Sequence, residues 1–141
     1  MVINRFLIQL PVTMNPTPKI PAIAIIDDDP LYRKVIAHLL EKNNVKILFE
    51  AASGAESIGL MEQANLLPDI VILDVEMPQM DGFETARMLK KHWPQIKIIA
   101  NSGSLDPSVS NKMIAAGADR FIAKDFNGIK IAELIQEVYE P

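Results

Sequence analysis

From residue 22 onward, short apolar segments alternate with longer amphipathic ones. Three of the short segments, AIAII, IVIL and IKIIA, are nearly continuous runs of apolar residues, which is typical of strands covered on both faces. The second segment, VKILFE, alternates more and is predicted to be an edge strand. The pattern predicts five strands, at Ala22–Ile26, Val45–Ala51, Ile70–Leu73, Lys97–Ala100 and Phe121–Ala123.

Helix N-cap signals follow the first four strands. Asp29 and Asp106 each precede a proline, which is favoured at the first helical position. Ser53 and Asp81 are each followed three residues later by a glutamate, as in a capping box. A strand followed by a helix, repeated five times, predicts an α/β fold with a parallel sheet, right-handed crossovers and helices on both faces.

The ends and the buried faces of the helices can also be predicted. The third helix is expected to end at HWP, because Pro94 cannot continue it, and Gly117 is expected to end the fourth as a left-handed cap. The first helix has an apolar stripe that we expect to face the sheet. This stripe consists of Leu31, Val35, Leu39 and Leu40.

Polar residues follow the ends of four predicted strands. Asp27 and Asp28 end the first strand, Asp74 ends the third, Ser102 lies near the end of the fourth, and Lys124 follows the fifth. The carboxyl ends of parallel strands lie along one edge of the sheet, where ligands bind in such folds. If the first and third strands are neighbours, the three carboxylates share one site.

Three crowded carboxylates need a cation, because like charges repel and raise one another's pKa. Mg²⁺ suits such a site best, since it accepts one or two carboxylates and completes its shell with water and phosphate oxygens. Lys124 and Ser102 would add a positive charge and a hydroxyl around one carboxylate nucleophile. These groups are the ones that phosphoryl transfer requires.

This set of residues, with the segment MPQMDG shortly after Asp74, resembles the response-regulator receiver domain of two-component signalling over roughly residues 20–140. The resemblance implies a flavodoxin-like, doubly wound fold with strand order 2-1-3-4-5. It also implies that Asp74 is the phosphoacceptor. Asp28, Asp74 and the backbone carbonyl of Glu76 would bind Mg²⁺, and Asp27 would act through water. Asp29 is better interpreted as a helix cap than as a ligand.

The resemblance also implies a switch. Lys124 would pair with the phosphoryl group, Ser102 would move inward on phosphorylation, and Phe121 would follow it. One departure from the family pattern is Asp125, which stands where a proline in a cis bond is common. A cis bond without proline costs about 3–4 kcal/mol, so we expect a trans bond here.

The predicted function is a signalling switch and not a turnover enzyme. It would take its phosphoryl group from a histidine kinase or a histidine phosphotransfer protein, and the exposed face of the first helix, with Tyr32, is a candidate kinase contact. Its output would be a downstream protein, an output domain beyond this sequence, or a phosphorylation-dependent dimer.

A phosphatase of the haloacid dehalogenase type is a rival function, although its Asp-x-Asp-x-Thr pattern is missing after the third strand. A flavin carrier is a second rival, although acids stand where its phosphate loop would be.

The composition of the chain excludes or disfavours some classes of function. The chain has 141 residues, no cysteine and a formal charge of -4, so thiol chemistry is excluded and direct nucleic-acid binding is disfavoured. Residues 1–19 contain prolines and are predicted to form an extended leader before a receiver domain at residues 20–141. We expect no signal peptide, no membrane span and a cytoplasmic location.

Overall fold

The computed structural model describes residues 19–63, 67–104, 106–124 and 128–139. The predicted leader lies outside these residues except for Lys19, and so does Asp125. Among the described helices, none is long and apolar enough to cross a lipid bilayer.

The strands are β1 (Ala22–Ile26), β2 (Lys46–Ala51), β3 (Ile70–Asp74), β4 (Lys97–Ser102) and β5 (Arg120–Ala123). The helices are α1 (Pro30–Glu41), α2 (Gly54–Gln63), α3 (Gly82–His92), α4 (Pro107–Ala116) and α5 (Gly128–Tyr139).

The five described strands form one parallel sheet in the order β2-β1-β3-β4-β5. This order confirms the predicted fold class, including the edge position of β2. The observed strands differ from the predicted ones by at most two residues at either end. Because β1 pairs with β3, the acids that end these two strands lie side by side.

Apolar residues fill both faces of the sheet. On one face, Ile23 and Ile25 of β1 pack in a cluster with residues of α1 and α5. On the other face, Ala24 and Ile26 pack in a cluster with residues of α2, α3 and α4. Every residue of β3 is buried, which explains the uninterrupted apolar run IVIL before Asp74.

The predicted helix caps are confirmed. Each of the four N-cap side chains accepts a hydrogen bond from a backbone N–H in the first turn of its helix, which satisfies a donor that the helix itself leaves unpaired. Gly117 ends α4 with a φ of 119°, in the left-handed region that favours glycine. α3 ends at His92, as predicted from HWP.

The predicted buried face of α1 is wrong. The buried residues of this helix include Tyr32, Ile36 and Leu40, whereas Leu31 is 68% exposed. Of the four residues in the predicted stripe only Leu40 is fully buried. Two apolar rows lie side by side on this helix, and its packing on the sheet selects the row that begins at Tyr32. Tyr32 is therefore not an exposed contact for a kinase.

The first residue of α3 lies very close to the backbone that follows β3. A Cβ atom on Gly82 would be 2.5 Å from the Asp74 carbonyl oxygen and 2.6 Å from Val75 Cα. We expect Gly82→Ala to lower the free energy of unfolding by about 2 kcal/mol, because backbone atoms must shift. Urea unfolding measures this change. Gly59→Ala is the matched control: among the described residues, no atom outside its chain neighbours and its own helix backbone lies within 4 Å of the Cβ position, so we expect it to stabilise the helix by about 0.5–1 kcal/mol. Equal effects of the two substitutions would contradict the prediction.

Candidate functional site

The three predicted acids converge at the carboxyl edge of the sheet. Asp27, Asp28 and Asp74 each offer a carboxylate oxygen, and these oxygens lie within 4.8 Å of one another. Asp27 and Asp74 are buried, each 2% exposed, whereas Asp28 faces solvent. The predicted cluster is therefore present, with one side open to water.

Lys124 reaches the same cluster from the end of β5, as predicted. Its Nζ atom lies 2.8 Å from Asp27 Oδ2 and 3.3 Å from Asp74 Oδ1. Burial lowers the pKa of Lys124, but the hydrogen bond and charge of Asp27 and the charge of Asp74 outweigh burial, so the pKa is raised overall. Lys124 is therefore a fixed positive charge beside two carboxylates.

The negative charge of Asp74 is buried, and the groups around it only partly stabilise that charge. Its pKa is raised from 3.8 to about 7, first because burial disfavours the charged form and second because of the charge of Asp27. Lys124 offsets only part of this effect. Apart from the Lys124 ammonium, 3.3 Å from Oδ1, neither carboxylate oxygen of Asp74 has a hydrogen-bond partner among the described residues. Such a buried and unsatisfied carboxylate is unusual unless a cation or another ligand completes its contacts.

The donor set fits a hard divalent cation. The described part of the chain contains one group of three acidic or histidine side chains close enough to hold a metal ion, and all its donors are carboxylate oxygens. Oxygen donors and room for water at the exposed Asp28 match the preference of Mg²⁺. The unsatisfied oxygens of Asp74 supply the acceptors that such an ion would use. The predicted role of the Glu76 backbone carbonyl stays a prediction.

Asp27 is held firmly by the surrounding backbone. Its Oδ1 atom accepts the N–H of Asp29 at 2.9 Å, its own N–H donates to the Ala51 carbonyl at 3.0 Å, and its carbonyl accepts a hydrogen bond from Arg33. Asp29 itself caps α1, as predicted. The sequence DDD thus divides into two site acids and one helix cap.

Ser102 is fully buried at the end of β4, and its partner was not predicted. Its hydroxyl donates to Glu76 Oε1 at 2.5 Å and accepts the N–H of Ser104 at 3.0 Å. The Glu76 side chain therefore holds the hydroxyl that is predicted to act as a switch. Phe121 is half-buried against the core, and its switch role stays a prediction.

Two further residues near Lys124 were missed. Asn101 is fully buried in β4 and donates from Nδ2 to the Tyr32 hydroxyl at 2.6 Å. The face of the Tyr32 ring lies under Lys124, with 4.6 Å between Nζ and the ring centroid. Asn101 carried a signal, because an amide inside the apolar run IIANS needs a buried partner. Tyr32 was predicted to be an exposed kinase contact, and its position under Lys124 was not predicted because the predicted face of α1 was wrong.

Known proteins are similar to this chain in sequence and in fold. The family model of the response regulator receiver domain matches residues 23–136. Chemotaxis protein CheY of Bacillus subtilis is 33% identical over 115 residues, which cover 82% of this chain and 94% of that protein. Protein-glutamate methylesterase/protein-glutamine glutaminase 3 of Hahella chejuensis is 32% identical over 98 residues, 68% of this chain, but the match spans only 28% of that protein. The solved signal receiver domain of the response regulator NarL from Mycobacterium tuberculosis has a TM-score of 0.79 at 26% identity, covering 87% of this chain and 98% of that one.

The family match covers every residue of the sheet except Ala22 and all the residues of the acidic cluster. The sheet order, the three converging acids and the lysine at the end of β5 agree with it. The chain therefore belongs to the response regulator receiver domain family of two-component signalling.

Proposed function

We propose that this chain is a phosphorylation-dependent switch that accepts a phosphoryl group on Asp74 from a histidine kinase or a histidine phosphotransfer protein. The observation that carries this proposal is the Asp74 carboxylate itself. It is buried and without hydrogen-bond partners among the described residues, and it lies 3.3 Å from the ammonium of Lys124. A carboxylate in this state is ready to accept an electrophile and a compensating cation.

In the proposed transfer, an Asp74 carboxylate oxygen attacks the phosphorus atom in line with the leaving group. The new O–P bond forms as the P–N bond to the donor imidazole breaks, and that nitrogen keeps the bonding electrons and takes up a proton. Lys124 neutralises charge on the phosphoryl oxygens, for which its position beside Asp74 Oδ1 is suited. Asp27 holds the ammonium of Lys124 in place through its 2.8 Å contact.

Mg²⁺ is the proposed cofactor, held by Asp28, Asp74 and the backbone carbonyl of Glu76, with Asp27 acting through water. When bound, it supplies positive charge to the phosphoryl oxygens and to the crowded carboxylates. The three carboxylate oxygens within 4.8 Å of one another support this assignment.

The proposed conformational change begins at Ser102. Its hydroxyl donates to Glu76, so a new hydrogen bond to a phosphoryl group on Asp74 requires that contact to break. Phe121 of β5 pairs with Ala100 of β4 and would follow the movement of this strand end. The altered surface around β4 and β5 would then be read by a partner.

The proposed output follows from the two kinds of relative. One relative is a chemotaxis protein of which the match covers 94%, and another is a methylesterase of which the match covers 28%. The chain would act alone on a downstream protein, as a phosphorylation-dependent dimer, or as the receiver part of a longer regulator. In each case it works in the cytoplasm as a phosphoacceptor and not as a turnover enzyme.

The test is incubation of the full chain with acetyl phosphate and Mg²⁺. We expect one phosphoryl group per chain, released by hydroxylamine as expected for an acyl phosphate, and much less incorporation when a chelator removes the metal. Intact-mass spectrometry and peptide mapping locate the group. Sustained hydrolysis of p-nitrophenyl phosphate without a stable adduct would instead favour the phosphatase.

Glu76 is an exposed residue two positions after Asp74, and its carboxylate accepts the hydrogen bond of Ser102 at the same edge of the sheet. We expect Glu76→Gln to speed phosphorylation by acetyl phosphate about 3–10-fold at low ionic strength, because the anionic donor meets less repulsion. The gain should shrink as salt is added. Initial rates of adduct formation measure this effect.

Glu137→Gln is the matched control. Glu137 lines a cavity at the other edge of the sheet, so the phosphorylation rate of this variant should equal that of the parent chain. A rate for Glu76→Gln no higher than that of the parent chain would contradict the prediction.

A further inference from the structure

The ammonium of Lys124 contacts an aromatic ring as well as two carboxylates. Tyr32, in the first turn of α1, is only 4% exposed, and its ring centroid lies 4.6 Å from Lys124 Nζ. The same Nζ atom is 2.8 Å from Asp27 Oδ2 and 3.3 Å from Asp74 Oδ1. A cation at this distance from a ring centroid is attracted by the quadrupole of the ring.

Hydrogen bonds fix Tyr32 at its hydroxyl and at its backbone N–H. Its hydroxyl accepts a 2.6 Å hydrogen bond from Asn101 Nδ2, and its backbone N–H donates to Asp29 Oδ1 at 3.2 Å. Asn101 is fully buried and lies opposite Asp74 in the register of β3 and β4. The orientation of the ring is therefore set by the same pair of strands that carries Asp74.

Lysine needs such a constraint more than most side chains. Its four-carbon stem has several rotatable bonds, and fixing them on phosphoryl binding costs conformational entropy. A rigid aromatic face beside the ammonium restricts the stem before the phosphoryl group arrives. Preorganised charge of this kind lowers the cost of stabilising a transition state.

We propose that Tyr32 is a positioning residue that acts through Lys124. Its ring holds the ammonium beside Asp74, and Asn101 holds the ring. This inference rests on the proposed function, because Lys124 has a phosphoryl group to meet only if Asp74 accepts one. Tyr32 itself would touch neither the donor nor the reacting atoms.

The experiment compares the initial rate of phosphorylation by acetyl phosphate and Mg²⁺ in three single variants of the full chain. We expect Tyr32→Leu to slow the reaction about 5–30-fold, which corresponds to about 1–2 kcal/mol at the usual cation–π strength. Tyr32→Phe keeps the ring but loses its hydrogen bond to Asn101, so its rate should fall slightly and stay within about 3-fold of the parent rate. Tyr139→Leu removes the other tyrosine, at the opposite edge of the sheet, and should leave the rate unchanged.

A second measurement separates positioning from packing and does not depend on the folding of Tyr32→Leu. Phenylalanine with one, two and three fluorine atoms at position 32 keeps nearly the same shape but weakens the ring quadrupole stepwise. We expect the rate to fall with each fluorine while the melting temperature stays nearly constant. The proposal is overturned if the phosphorylation rate does not change with the number of fluorine atoms, or if Tyr32→Phe reacts as slowly as Tyr32→Leu. If the parent chain forms no adduct on Asp74, the proposed function itself has failed, which is a different result.

Discussion

Replacing Asp74 with asparagine is expected to lower phosphate incorporation by more than about 100-fold, because the amide lacks the nucleophilic oxygen that forms the bond to phosphorus. Asparagine has nearly the same shape as aspartate, so the sheet edge around it should be retained. Asp74 is 2% exposed, and among the described residues the polar contact that the substitution weakens is the ion pair with Lys124, 3.3 Å from Oδ1. The measurement is the rate of adduct formation with acetyl phosphate and Mg²⁺, followed by intact mass.

Asp69→Asn is the matched control for this experiment. Asp69 precedes β3 at the opposite edge of the sheet, and its carboxylate accepts the N–H of Ala22 at 2.9 Å, which an asparagine carbonyl can also do. We expect this variant to react at the parent rate. An Asp74→Asn chain that still formed a hydroxylamine-sensitive adduct at a comparable rate would show that another residue is the acceptor.

The second large effect is a loss of stability with rising pH in the metal-free protein. The pKa of Asp74 is about 7 in the folded chain, against an ordinary value of 3.8 that applies when the chain is unfolded. Between these values the folded state binds more protons, so the free energy of unfolding falls as pH rises. The contribution is fully present below the unfolded pKa and is lost as pH passes through 7. Between pH 5 and pH 8 we expect a loss of about 2–3 kcal/mol.

The comparison with Asp74→Asn isolates this effect from other titrating groups. Asparagine carries no charge at any pH, so the difference in unfolding free energy between the two proteins should change by that amount across the window. Urea unfolding in chelator at several pH values measures the difference. Millimolar Mg²⁺ should restore much of the lost stability of the parent at pH 8, and less in the variant, because the ion binds the folded carboxylate cluster. A pH-independent difference would show that the Asp74 carboxyl has no raised pKa.

Much of the fold could be predicted from the sequence because strands buried on both faces of a parallel sheet are continuous apolar runs. β3 reads IVILD and is buried throughout, so no alternation was needed to identify it. The capping signals at Asp29 and Asp81 marked helix starts because their side chains bond the first N–H groups of their own helices. The convergence of Asp28 and Asp74 could be predicted for a related reason. Once the strands are parallel, their carboxyl ends meet at one edge whatever the details of packing.

The sequence by itself thus determined the strands, the caps, the sheet class and the edge at which the acids meet, because these depend on neighbours a few residues apart. Only the tertiary structure decided which row of α1 is buried, so that Tyr32 lies under Lys124. It also decided that Ser102 bonds to Glu76 and that Asn101 bonds to Tyr32, a partner 69 positions away. Such contacts depend on the rotation of one element against another, and rotations that bury similar apolar area look alike in a local pattern.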